Sequence, residues 1–316
     1  MSTIDALFAI GLAVLQAAGL LAAAPLLKTT IKKMKARLQN RQGPPWRQGY
    51  YDLAKLLSKE PVRSADASWI YVAGPRVYFA AAVAATLLVP VLLAAAPLEA
   101  AGGILLLVGT LALGRFALAV AALDTGSPFG GMGASRDMTI AALAEPALML
   151  CLLTSALAAG SLNLGVLVRD LLRQGPSFHP SDMLALAGLF IIIIAETGRI
   201  PVDNPATHLE LTMIHEAMVL EYAGPDLALV EWASALKELL YLTLLVDLFI
   251  PAGVAASATP GAIVVGLVAW AGKIFLLAIA ITLAESTNAK LRLFRVPELV
   301  SVSLGLAFLA LAIRFL

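Results

Sequence analysis

Seven ionisable side chains stand inside or at the edges of long apolar stretches: Arg115, Glu145, Lys237, Glu238, Asp247, Lys273 and Glu285. A charge at the centre of a bilayer costs at least ~2.5 kcal/mol on insertion scales, so a set of this size requires a reason. Burial penalises the charged form of carboxylates and lysines alike and brings both toward neutrality, where they can exchange protons. Proton handling is the chemistry such a set fits. The competing reading is polar glue between helices, or long side chains snorkelling to an interface.

A second group lies at 195–224, AETGRIPVDNPATHLELTMIHEAMVLEYAG, with Glu196, Asp203, Glu210, Glu216, Glu221, His208 and His215. If 206–222 is helical, Glu210 and Glu221 return to one face and the two histidines share another stripe. Pro201 and Pro205 end the preceding helix, which folds this segment back against the membrane surface. Carboxylates starting at the end of a span could feed protons inward; a solvated acidic face is the plain alternative. No HExxH occurs and no other span supplies a matching ligand cluster, so no metal site is assigned.

The elements that would position these groups follow from composition. The 316 residues are 60% hydrophobic and 14% charged, with a mean hydropathy of +0.89, whereas soluble domains carry roughly 25% charged residues. The chain therefore reads as an all-α polytopic membrane protein, one integral membrane domain over 1–316. Apolar stretches fall at 4–27, 71–96, 102–123, 138–159, 183–195, 227–250, 262–283 and 299–315, about eight spans. The first has Asp5 in place of a basic leader and is too long for a signal core, so it reads as an uncleaved span.

Lysine and arginine sort unevenly among the connections. With eight spans and 28–70 in the cytoplasm, sixteen fall on that side and only Arg169, Arg173 and Arg314 on the other, which places both termini on the non-cytoplasmic side of the cell inner membrane. Polar cytoplasmic loops are then expected at about 28–70, 124–137, 200–226 and 287–297. Within the first, Gly43-Pro44-Pro45 forces a turn, and Asp52, Lys55, Leu56 and Lys59 fall on an amphipathic interfacial helix. The glycine-rich 124–137, DTGSPFGGMGASRD, lacks the Lys-Ser/Thr of a P-loop and reads as a tight inside loop touching a partner. Net charge +1 gives no field for nucleic acid, and a single cysteine, Cys151, cannot hold a zinc ion or iron–sulfur cluster. No internal repeat of the transporter kind is evident.

Three stretches resemble the subunit-1 family shared by respiratory complex I and membrane-bound [NiFe] hydrogenases. They are 39–60 (RQGP at 41–44, then DLAKLLSKE at 52–60), AETGRIPVDNP at 195–205 with EYAG at 221–224, and KLRLFRVPEL at 290–299. The loop after Asp203 and ALDTGSPFGGMGASR at 122–136 look like the formate hydrogenlyase and hydrogenase-4 branch. The resemblance implies a membrane anchor and coupling subunit of an oxidoreductase complex with no redox centre of its own. It would meet hydrogenase large and small subunits carrying the NiFe centre, an iron–sulfur subunit and antiporter-like membrane subunits. It implies an inner acidic pathway through Glu145, Glu196, Arg199, Asp203, Glu210 and Glu221, which Glu238, Asp247, Lys273 and Glu285 would continue into the membrane. Arg41, Asp52, Lys55, Lys59, Glu60, Arg292 and Arg295 would face partners. A quinone-site subunit with bound quinone or lipid, a structural anchor and a stand-alone cation/proton transporter are the readings it competes with.

Overall fold

The computed structural model describes residues 3–63, 67–95, 97–98, 103–175, 179–203 and 213–315, with side chains from residue 10 onward. These residues form α1 (Thr3–Leu38), α2 (Gln48–Leu57), α3 (Trp69–Leu88), α4 (Ile104–Asp124), α5 (Pro128–Ala159) and α6 (Leu164–Gln174), then α7 (Pro180–Glu196), α8 (His215–Val219), α9 (Gly224–Phe249), α10 (Pro260–Thr287) and α11 (Val296–Phe315). Among the described residues the only strand-like pairing is one isolated bridge between Gly103 and Asn163. Six helices, α1, α3, α4, α5, α10 and α11, are long and apolar enough to cross a membrane. α7 has 17 residues, and Glu231, Lys237, Glu238 and Asp247 interrupt the apolar run of α9.

The hub is α9. Every residue from Ala235 through Leu248 is buried, so this helix is surrounded on all sides. It packs on α1, α2, α3 and α7, while α3 lies along α4 and α11 lies against both α5 and α7. A polar side chain in α9 therefore has no water to turn to and must find a partner on a neighbouring helix.

Four expectations change. The basic stretch after Leu27 is no loop: α1 runs unbroken to Leu38, because lysine and arginine are good helix formers and no glycine or proline intervenes before Gly43. The glycine-rich 124–137 is no loop beyond Ser127 either. Pro128 starts α5 at its first turn, and a Cβ added to Gly133 would stand 2.9 Å from Ala217 Cβ and 2.9 Å from the Met218 nitrogen. Those glycines serve close packing against α4 and α8. The third span is helical only to Leu88; beyond it the chain is irregular yet buried at Val89, Val91 and Leu92. Gln16 holds that stretch, its Nε2 donating to the carbonyls of Thr86 (2.7 Å) and Val89 (2.8 Å) while Oε1 accepts from the Leu92 amide (3.3 Å). Non-helical backbone survives at such depth only when protein satisfies it. Finally, of the 206–222 helix, the described residues keep only α8; Glu221 stands in a turn after it, and His208 and Glu210 lie outside the described residues.

The amphipathic helix expected near Asp52 is present as α2, after the non-helical Gly43-Pro44-Pro45. It rests on α1 through Gly49, whose amide donates to Thr29 Oγ1 at 3.2 Å. A Cβ at Gly49 would come within 2.8 Å of the Pro25 carbonyl oxygen, so the approach needs glycine. The amphipathic α6 was not foreseen; its 11 residues follow an Asn163 cap that accepts from the Gly165 and Val166 amides.

Candidate functional site

The inward face of α9 carries Glu231, Ser234, Lys237, Glu238 and Tyr241, a stripe at helical spacing. Helix α1 offers Lys28, Lys32 and Lys35 at the same kind of spacing. To these α4 adds Arg115, α5 adds Asp137 and Glu145, the end of α7 adds Glu196, and the turn beyond it adds Arg199.

Two buried ion networks result. In the first, Arg115 is 8% exposed and its guanidinium meets three carboxylates. Nη1 lies 3.2 Å from Glu145 Oε1, Nε lies 3.7 Å from Asp137 Oδ2, and Nη2 pairs with Glu196. Glu196 Oε2 also takes Lys237 Nζ at 2.9 Å and the Tyr241 hydroxyl at 3.1 Å. Three carboxylates thus face two cations, and Glu196 Oε1 is buried with no hydrogen-bond partner among the described residues.

In the second network Arg199 reaches Glu238 at 2.5 and 2.7 Å and Glu285 at 2.9 Å. Glu285 also receives Lys35 from α1 at 3.1 Å. Burial works against the Arg199 charge, but Glu238 and Glu285 outweigh it, leaving its pKa raised. Lys28 pairs with Glu231 at 2.5 Å one step further along the same helices.

A cavity of about 40 Å³ adjoins the first network, bounded by Arg115, Asp137, Glu196 and Lys237, room for two or three waters. A larger one of about 160 Å³ adjoins the second, bounded by Lys28, Lys32, Arg199, Glu238 and Glu285. Thr197, Gly198, Asp203, His215 and Ser234 line both. A third cavity of about 460 Å³ lies between α1, α2 and α9, sharing Lys28, Lys32 and Glu231 with the second.

The structure thus brings together Glu145, Glu196, Arg199, Glu238 and Glu285 in two adjoining groups, with Asp203 in the wall they share. Asp203 is itself tied down, accepting from Lys290 at 2.9 Å and from the Ile214 amide at 3.1 Å. Asp247 and Lys273 stand apart. Asp247 is nine residues along α9 from Glu238, about 13 Å, and Lys273 Nζ turns to the Ile250 and Ala252 carbonyls at 2.8 and 2.9 Å. Glu221 is exposed at the surface, and its carbonyl, not its carboxylate, is engaged, accepting from Tyr71 at 2.6 Å. Tyr71 stacks on Tyr222 with ring centroids 4.4 Å apart, and burial raises the pKa of the Tyr222 phenol. Arg41, Asp52, Lys55, Lys59, Glu60, Arg292 and Arg295 are all exposed. Among the described residues no three His, Cys, Asp or Glu side chains converge as metal ligands.

Asp137, Glu231, Lys28, Lys32, Lys35, Tyr241, Ser234 and His215 belong to these walls and networks and were not singled out for them. The lysines read as loop charges because helix α1 was ended too early. Glu231, Ser234 and Tyr241 were legible as a stripe with Lys237 and Glu238.

Comparison with known proteins places the chain. Residues 10–315 match the NADH dehydrogenase family. Formate hydrogenlyase subunit 4 of Escherichia coli (strain K12) is 33% identical over 94% of this chain and 95% of its own length. Hydrogenase-4 component C of the same organism is 33% identical over 94% and 93%. An NADH-quinone oxidoreductase membrane-family relative from Anaplasma phagocytophilum (strain HZ) is 28% identical over 73% of each chain. A chain of the membrane-bound sulfane sulfur reductase, an archaeal respiratory membrane complex, shares the fold with a TM-score of 0.81 at 20% identity, over 96% of this chain and 99% of that one. The chain belongs to the NADH dehydrogenase subunit 1 family.

Proposed function

We propose that this chain is the membrane anchor and coupling subunit of an energy-converting [NiFe] hydrogenase complex. It links electron transfer and H2 formation or oxidation in a peripheral arm to proton or cation movement in the membrane. The two 33% identical relatives, matched along nearly their whole length, support the hydrogenase branch. The observation that carries the coupling role is the pair of buried ion networks whose polar cavities share one wall. Counting α7 and α9 with the six longer helices gives eight spans, with both termini on the non-cytoplasmic side of the inner membrane. The exposed Arg41, Asp52, Lys55, Lys59, Glu60, Arg292 and Arg295 then face the cytoplasm. There they would meet the large and small subunits and the iron–sulfur subunit, while the membrane-embedded sides meet antiporter-like subunits. With one cysteine in the chain, the NiFe centre and iron–sulfur clusters reside in those partners.

Within this role Glu145, Glu196, Arg115 and Lys237 hold and pass a proton, since three carboxylates against two cations leave one to be neutralised. Arg199, Glu238 and Glu285 answer charge changes arriving from the cavity above. Asp203 keeps the loop between them in place. Glu210 and Glu221 enter as an approach on the partner side, and Asp247 and Lys273 as a separate step deeper in the bundle. Glu145→Gln in the intact complex tests this, because Glu145 is the most exposed carboxylate of its network, with its side chain 34% exposed. H2 production and proton uptake are measured together in vesicles. The expected result is normal assembly with proton movement per H2 reduced about tenfold or more. Assembled complex with unchanged coupling sinks the relay, and loss of assembly with normal coupling in what remains returns these charges to helix packing.

The cavity of about 460 Å³ between α1, α2 and α9 favours one second reading, a quinone-site subunit, since it has the size of a small-molecule site. Quinone bound in one-to-one amount in the purified complex would support it over the hydrogenase.

A further inference from the structure

The two faces of the basic end of α1 differ. On one, Lys28 and Lys35 are neutralised by Glu231 and Glu285. On the other, Lys33 and Arg37 stand one helical turn apart, and among the described residues no carboxylate lies within the 4.0 Å ion-pair distance of either (the chain's ion pairs engage other cations). Below them is an open groove of about 420 Å³ between α1 and α10, walled by Met34, Leu38, Ile279 and Leu283. Trp46, from the turn after α1, closes its upper edge, with Lys33 Nζ 4.4 Å above the indole ring.

Three properties of the groove point to one kind of occupant. Its walls are apolar and largely open, with Leu38 55% and Leu283 49% exposed. It is continuous with the apolar outer surface of α10, where Val264, Val265, Val268 and Leu276 are all exposed, so hydrocarbon reaches it directly. Its water-side rim carries two cations and an indole, the groups that settle at the headgroup level of a bilayer. A soluble anion would gain nothing from the walls, and a neutral lipid would leave the two cations uncompensated.

We propose that this groove is a binding site for an anionic phospholipid, one acyl chain lying between α1 and α10 and the phosphate held by Lys33 and Arg37. The lipid bridges the two helices on the side opposite the Lys35–Glu285 pair, so it clamps the same helix pair from outside. The site does not depend on the coupling role, because its residues belong to neither ion network.

The test uses the intact detergent-solubilised complex, washed free of loosely held lipid and incubated with phosphatidylglycerol or phosphatidylcholine micelles, with bound lipid counted by native mass spectrometry. Wild type should keep phosphatidylglycerol in preference to phosphatidylcholine. The double variant Lys33→Gln, Arg37→Gln should bind phosphatidylglycerol about thirtyfold more weakly, the effect of removing two surface cations, while Arg173→Gln on the distant α6 should not. Arg37→Gln alone, at an exposed position, repeats the measurement with a smaller loss if the double variant fails to assemble. Equal retention of the two lipids by wild type, or unchanged phosphatidylglycerol binding by the charge variants, overturns the proposal. So does cross-linking of an Ile279→Cys variant to another subunit, which would put protein in the groove.

Discussion

Arg115 is the residue on which the first network turns, since Asp137, Glu145 and Glu196 all depend on it. Removing one partner of a buried ion pair costs about 3–5 kcal/mol because the other charge is left uncompensated. Arg115→Ala is therefore expected to abolish accumulation of the assembled complex, read by blue-native electrophoresis. Tyr241→Phe removes a single donor to Glu196 and should cost about 0.5–1.5 kcal/mol, leaving assembly near wild type. The opposite order of severity would mean that Arg115 is not the node. At this scale much was legible: Arg115, Glu145, Lys237, Glu238 and Glu285 stand out as charges in apolar sequence. What sequence hides is pairing. Nothing in the spacing of Lys35 and Glu285 says that helices 250 residues apart bring them to 3.1 Å.

Elements were predicted best where apolar runs are long and worst where glycine or lysine imitates a loop. The helices α4, α9, α10 and α11 fall close to the expected spans. The start of α5 was read as a loop because Gly130, Gly131 and Gly133 lower helix propensity, by about 1 kcal/mol each relative to alanine. Tertiary packing overrides that weakness, since only small residues let α5 lie against Ala122, Ala217 and Met218. Gly133→Val is accordingly expected to destabilise by about 1–3 kcal/mol through overpacking, seen as a lower midpoint in detergent thermal unfolding. Gly131→Ala, whose added Cβ would meet nothing closer than 4.0 Å, should be neutral or slightly stabilising. If Gly131→Ala proves the more damaging of the two, the packing account of this segment is wrong.

At the scale of the whole molecule, the polar and ionic machinery is gathered toward one end of the bundle, where α1, α7, α9 and α10 carry their charges. The opposite end is sealed by short apolar connections and the buried turn that Gln16 holds. Two fusions check the orientation that follows. A reporter active only outside the cytoplasm, joined after Leu316, should be active, and one active only inside should be silent; the reverse pattern would invert the proposed topology. Composition and the lysine–arginine bias made this polarity readable without coordinates. The joining of two networks through shared cavity walls was not readable, because it depends on how α7 and α9 cross in space.

The unbroken run of α1 from the apolar bundle to Leu38 has a mechanical consequence. Lys28 and Lys35 sit on one stiff rod, so neither can leave its carboxylate while the other stays. A slide of that rod by a single helical turn, about 5.4 Å, would exceed the reach of both ion pairs together. The ratchet has two notches and no halfway stop: any partner that pushes on the exposed tip of the rod changes the charge balance at Glu231 and at Glu285 in the same stroke.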